Sequence, residues 1–215
     1  MALTVTLLGG ESSGKSTLAQ SLITTLERLH GLRCVGVDEA LRRWCMEHGR
    51  TPKAHEQAAI AAQQSERIAE AAERPGVDVV VADTTALMTA AYSDQYFQDT
   101  GLWPEALRTQ SHYTHTWLMG LDTPWQADGA WRDGPAARAA TDGLLRQRLG
   151  DAGLAYATLW GATQERLAQA LHALKPALGL NLADGPERDS RRTWRCEHCA
   201  DPESEHRLFG FCPRA

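Results

Sequence analysis

The chain has 215 residues, 43% of them hydrophobic, enough for one globular core with a small appendage. Its 22 basic and 27 acidic residues leave a net charge of −5, with both signs interspersed. That balance argues against nucleic acid or an anionic membrane as the main partner.

The opening "MALTVTLLGG" lacks a basic stretch ahead of its apolar residues, and no later apolar run reaches membrane-spanning length. The expectation is a cytoplasmic protein without a membrane partner. In chain order, short β-branched runs at 3–8, 33–37, 77–82, 114–121 and 154–160 read as five buried strands. Helical periodicity covers 14–30, 52–74, 135–149 and 163–174. Thr51 is expected to cap the second of these, with Pro52 at its first position. Thr163 is expected to cap the last, which Lys175–Pro176 soon ends. Cys34 and Cys45 fall in strand and helix patterns and read as small buried hydrophobes.

Alternating strands and helices imply an α/β fold whose mainly parallel five-stranded sheet is covered on both faces. In such sheets ligands bind outside the carboxyl ends of the strands. The expected layout is a P-loop domain over 1–178, a linker over 179–193 ("GLNLADGPERDSRR" starts it) and a Cys/His-rich tail over 194–215.

Directly after the first strand, "GGESSGKST" matches the P-loop pattern, with a helix following as the motif requires. Gly9, Gly10, Glu11, Ser12, Ser13, Gly14, Lys15, Ser16 and Thr17 form this candidate nucleotide cradle. Its glycines let backbone N–H groups curl around phosphate oxygens, and the helix adds its own free N–H groups. Lys15 would reach the β- and γ-phosphates, and the Ser16 hydroxyl would ligate Mg²⁺. ATP is favoured over GTP because the sequence's single asparagine, Asn181, forms no guanine-reading Asn-Lys-x-Asp element.

Asp83 ends the third strand, where a second Mg²⁺ ligand is expected. Thr84 and Thr85 follow it, where motor ATPases carry a water-polarising glutamate. That favours phosphoryl transfer over a hydrolysis-driven motor. Asp38 and Glu39 close the second strand, and Arg42 lies one helical turn beyond Glu39, so this pair is a candidate acceptor floor. The alternative is a helix start with favourable acidic residues and a solvated arginine. "LDTPWQADGAWRDG" after the fourth strand reads as a lid carrying Arg132 and Arg138 toward the transferring group, with Trp125 or Trp131 stacking on a flat ring. A structured surface loop is the competing reading.

Together, "GGESSGKSTLAQ", "DEALRRW", "ADTTALMTAAY" and "LDTPWQADGAWRDG" resemble the ribosylnicotinamide kinase domain of NadR-type proteins and the wider NadR-like P-loop AAA-family ATPases, over roughly residues 3–175. The resemblance implies a P-loop kinase-like three-layer sandwich that moves the γ-phosphoryl of ATP to the ribose 5′-hydroxyl of nicotinamide riboside. It maps Gly14, Lys15 and Ser16 onto the phosphate loop, Glu39 and Arg42 onto a Glu-x-x-Arg element, and Asp83 and Thr84 onto an Asp-Thr pair. Trp125, Asp128 and Gly129 fall on its Pro-Trp-x-x-Asp-Gly element. The family's Asp-Thr-Asp is here Asp83-Thr84-Thr85, one carboxylate fewer.

In the tail, Cys196 and Cys199 sit two residues apart, with His206 and Cys212 beyond. These four would complete a tetrahedral Zn²⁺ site; the alternative is a tail of reduced thiols. Seven acidic against six basic residues over 181–215 argue for a solvated linker rather than a nucleic-acid patch. Two functions therefore stand: an ATP- and Mg²⁺-dependent kinase for a nucleoside-like small molecule, or a nucleotide-binding regulatory module. Oligomeric state is left open.

Overall fold

The structure is a computed structural model that describes residues 2–126 and 134–179. Five strands follow the expected runs: β1 (Leu3–Leu8), β2 (Cys34–Val37), β3 (Val79–Asp83), β4 (His115–Met119) and β5 (Ala157–Leu159). They form one parallel sheet in the order β2-β3-β1-β4-β5. The register sets Leu7 beside Asp83 and Leu8 beside Leu118. All five residues of β3 and the last five of β1 are buried, which requires cover on both sheet faces.

The helices are α1 (Lys15–His30), α2 (Ala40–His48), α3 (Ala54–Glu73), α4 (Ala86–Phe97), α5 (Trp103–Gln110), α6 (Pro135–Asp151) and α7 (Thr163–Leu178). One apolar cluster joins Leu8 and Leu118 to α4, α5 and α6 through Leu87, Trp103, Leu145 and Leu149. Another sets Ile68 and Ala71 of α3 on Val37, Val80 and Ala82. A compact unit spans Met1–Leu174, and a second begins at Lys175. Among the described residues no helix is long and apolar enough to cross a membrane.

Three expectations change. The start of α3 is Lys53, not Thr51: the Glu56 carboxylate reaches back to accept from Lys53 N at 2.7 Å, and it also binds Arg50. A carboxylate at the third helical position satisfies a free N–H there, so the helix begins where Glu56 can cap it. Thr163 is the first residue of α7 rather than its cap, and Glu165 plays the same back-reaching part on Ala162 N. Cys45 is buried, but Cys34 is only partly so; its thiol is pushed up to about 11 by burial first and then by Glu27 and Asp78.

Helices α2, α4 and α5 fall outside the four periodic segments. For α4 the reason is burial: Ala86 to Ala91 are buried in unbroken succession, so no polar face marks its period. Thr85 caps α4 by accepting from Leu87 N, and donates to Gln110 Oε1 at 2.8 Å. Gln110 Nε2 in turn donates to Thr6 and Thr116, both at 2.8 Å. This fully paired polar chain ties the cap of α4 to β1 and β4 beneath the sheet's carboxyl end.

Candidate functional site

The loop from Gly9 to Gly14 turns β1 into α1 through left-handed backbone at Ser12 (φ 55°) and Gly14 (φ 82°). Gly10 is required for a different reason. A Cβ there would stand 3.0 Å from the backbone oxygen of Arg138 and 3.1 Å from its Cα, because α6 lies directly against the loop. Lys15, 8% exposed, folds back to donate to Gly9 O at 2.7 Å and Gly10 O at 3.1 Å. Its ammonium is thus held over the concave side of the loop.

Ser16 Oγ donates to Asp83 Oδ2, joining the first turn of α1 to the end of β3. The other Asp83 oxygen, Oδ1, is buried without a hydrogen-bond partner. A hydroxyl and a carboxylate with a spare buried oxygen make a hard-oxygen set that suits Mg²⁺. Thr84 follows at φ 81°, a conformation costly for a β-branched residue, and its carbonyl accepts from Gln64 Nε2 at 3.2 Å.

Glu39 and Arg42 do pair, at 3.6 Å, with Glu39 largely covered. Asp38 gives its carbonyl to Arg67 at 2.9 Å. The phenol of Tyr92 on α4 is driven well above its ordinary value, by burial first and then by the charges of Glu39 and Glu11.

A cavity of about 430 Å³ lies over the phosphate loop. Its walls are Ser12 to Leu18, Arg42, the β4–α6 loop through Thr123, Pro124 and Gln126, and the β5–α7 turn through Ala162, Thr163 and Arg166. Gln126 N donates to Ser12 Oγ at 2.9 Å, so the β4–α6 loop leans on the phosphate loop. Trp125 turns its Nε1 into a buried, unpartnered position beside this wall.

The AAA domain family matches residues 4–166, three quarters of the chain. The chain belongs to this family. Among solved structures, NadR protein in complex with NAD and AMP-PNP matches with a TM-score of 0.67 at 20% identity, covering 84% of this chain and 51% of that one. NadR protein in complex with NR gives 0.69 at 20% identity, with coverages of 83% and 52%. The chain thus spans about half the length of these NadR chains. Thymidylate kinase from Ehrlichia chaffeensis gives 0.59 at 14% identity, covering 80% of this chain and 98% of its own. No curated protein matches by sequence. These likenesses establish the P-loop kinase fold.

Within this AAA domain, Arg138 departs from expectation. It is not an exposed lid arginine but 4% exposed in the first turn of α6. Its guanidinium donates to Thr123 O at 2.9 Å and Thr123 Oγ1 at 3.3 Å, and so holds the β4–α6 loop. Burial, then the nearby Arg166 charge, lowers its pKa. Asp128, Gly129, Trp131 and Arg132 lie outside the described residues, as do Cys196, Cys199, His206 and Cys212 of the proposed zinc set. Among the described residues no three His, Cys, Asp or Glu side chains gather around a common point.

Arg166 and Gln64 were not singled out by sequence. Arg166 looks like a solvent-facing residue in "TQERLAQAL", yet it is 2% exposed. It donates to Ser13 O at 2.6 Å, Gly120 O at 3.0 Å and Asp122 Oδ1 at 2.7 Å. Asp122 in turn accepts from Gly161 N. One guanidinium therefore ties the phosphate loop, the end of β4 and the β5–α7 turn, which are three walls of the cavity. Its position one turn into the helix after the last strand was the available signal, and it is a weak one.

Proposed function

We propose that this AAA domain binds Mg-ATP and transfers its γ-phosphoryl group to a hydroxyl of a small nucleoside-like acceptor, with nicotinamide riboside the specific candidate. The observation that carries the reading is one cleft at the strand ends with two chemistries. The phosphate loop, Lys15 and Ser16, which binds Asp83, line a cavity that also has Arg42, the partner of Glu39, in its wall.

The nucleotide half follows from the loop. Its inward N–H groups and the N-terminus of α1 would bind the phosphates, and Lys15 would exchange the carbonyls of Gly9 and Gly10 for phosphate oxygens. Ser16 and Asp83 would hold Mg²⁺, which when bound neutralises charge on the phosphates. The acceptor half rests on Glu39, which would accept a hydrogen bond from a sugar hydroxyl, with Arg42 on the cavity wall and Asp38 and Thr84 proposed as neighbouring contacts. Trp125, Asp128 and Arg132 belong to the loop proposed to cover the site, and Arg138 would anchor that loop from α6 through Thr123. Phosphoryl transfer needs mainly position and charge compensation, which this set supplies. The solved NadR complexes with NR and with NAD and AMP-PNP support the choice of candidate acceptor.

The test is incubation of the full chain with Mg-ATP and a panel of nucleosides that includes nicotinamide riboside, with products identified by mass. A product carrying one added phosphate supports the kinase, and Lys15→Ala should abolish it. Mg-ATP binding without product from any acceptor would favour the regulatory module.

A further inference from the structure

Gln64, on α3, belongs to no motif and is 2% exposed, yet both ends of its amide are engaged across the floor of the cleft. Its Oε1 accepts from Ala40 N at 2.6 Å, and its Nε2 donates to Thr84 O at 3.2 Å. The assignment is self-consistent, since an N–H needs an acceptor and a carbonyl needs a donor.

Each partner lies next to a site residue. Ala40 opens α2 and follows Glu39; the Glu39 side chain makes no cap hydrogen bond to that helix. The first free N–H of α2 is satisfied instead by a side chain from α3. Thr84 follows Asp83 and holds a left-handed conformation that a threonine adopts only when its surroundings enforce it. The Gln64 bond to its carbonyl is one such enforcement. One turn along α3, Arg67 donates to Asp38 O at 2.9 Å and pins the same β2–α2 turn a second time. A continuous path therefore runs from Glu39 and Ala40 through Gln64 to Thr84, Asp83 and Ser16.

We infer that Gln64 is a positioning residue that fixes the Glu39 turn relative to the Asp83 turn. It would set the placement of the acceptor-side carboxylate against the metal-side carboxylate without touching either substrate. The inference rests on the phosphotransferase reading above and deepens it. Two substitutions divide the amide's two bonds. Gln64→Glu keeps an acceptor for Ala40 N and loses the donor to Thr84 O, and Gln64→Leu loses both.

The experiment uses the full chain and mant-ATP as probe, titrated with and without Mg²⁺, beside thermal melting of each variant. Steady-state transfer to nicotinamide riboside is measured in parallel. In both variants the metal-free mant-ATP affinity should stay within about twofold of wild type, while the tightening by Mg²⁺ shrinks about fivefold or more. In the transfer assay kcat should fall about tenfold in both, and the acceptor KM should rise only in Gln64→Leu. A merely structural role would lower melting temperature without this split. If Gln64→Leu does not fold, Gln64→Glu decides alone. The inference is overturned if Gln64→Glu is folded and keeps wild-type Mg²⁺ tightening and kcat. If wild type binds Mg-ATP but phosphorylates no acceptor, the acceptor reading fails while the Mg²⁺ titration still decides the role of Gln64.

Discussion

Replacing Arg166 with methionine removes a charged fork from among three walls of the cavity while keeping an apolar stem of similar reach. The three acceptors it leaves behind fare differently. Asp122 is 31% exposed and keeps its bond from Gly161 N, so water can replace the guanidinium there at little cost. Gly120 O retains a long contact from Arg138 at 3.5 Å. Ser13 O, whose residue is 1% exposed, receives the short 2.6 Å bond and is the acceptor most exposed to loss. An orphaned buried acceptor costs about 1–3 kcal/mol. Relief of the repulsion that lowers the Arg138 pKa offsets a little of this. The net expectation is about 1–3 kcal/mol, a fall in melting temperature of about 2–12 °C for a chain of this size. The phosphate loop also loses the tie that fixes the Ser13 carbonyl, so Mg-ATP affinity should weaken about tenfold or more. Arg166→Lys should recover part of the stability but little of the affinity, since an ammonium cannot span the three acceptors as a planar fork does. Circular-dichroism melts and calorimetric titration with Mg-ATP read both effects. A melting temperature within about 2 °C of wild type together with an unchanged Mg-ATP affinity would refute the reasoning.

Gly10→Ala should destabilise by about 1–3 kcal/mol, because the new Cβ meets the backbone of α6, which cannot step aside cheaply. Gly143→Ala, in the same helix but with nothing within 4 Å of the added Cβ, should stabilise by about 0.5–1 kcal/mol, and denaturant melts of the two should differ in sign. Thr85→Val removes the cap of α4 and the hydroxyl partner of Gln110, and should lower stability by about 1–3 kcal/mol in the same assay. The Glu56 carboxyl is held down to about 2, first by its hydrogen bond from Arg50 and then by Lys53 N. A depressed acid stabilises the fold fully above its ordinary pKa of 4.5 and loses that contribution as pH falls toward 2. Glu56→Gln should therefore flatten the pH dependence of the denaturation midpoint in that window and leave its slope at neutral pH unchanged.

The phosphate loop was legible because its chemistry is local. Two glycines, a lysine and a serine at fixed offsets need only a strand before and a helix after, and both flanks carry clear periodicity. The same holds for the Glu39–Arg42 pair, where a spacing of three on a helix brings the side chains together. The start of α3 was misplaced because Thr51 and Pro52 are generic signals, while the reach of Glu56 to Lys53 is a specific bond. Arg138 was read as a mobile lid residue because an arginine after a glycine-rich loop carries no mark of burial. The packing of α6 on Gly10 is what places it inside.

The positions of the strands along the chain and the phosphate-loop turn were thus contained in short-range patterns, since strand, turn and helix each leave a signature within a few residues. The cross-links that hold the cleft's walls together were not. Arg166 reaches Ser13 across 153 positions, and Gln64 joins turns 24 and 20 positions away on either side. Side chains buried by contacts so distant in sequence look like ordinary polar residues until the sheet brings their partners within hydrogen-bonding range.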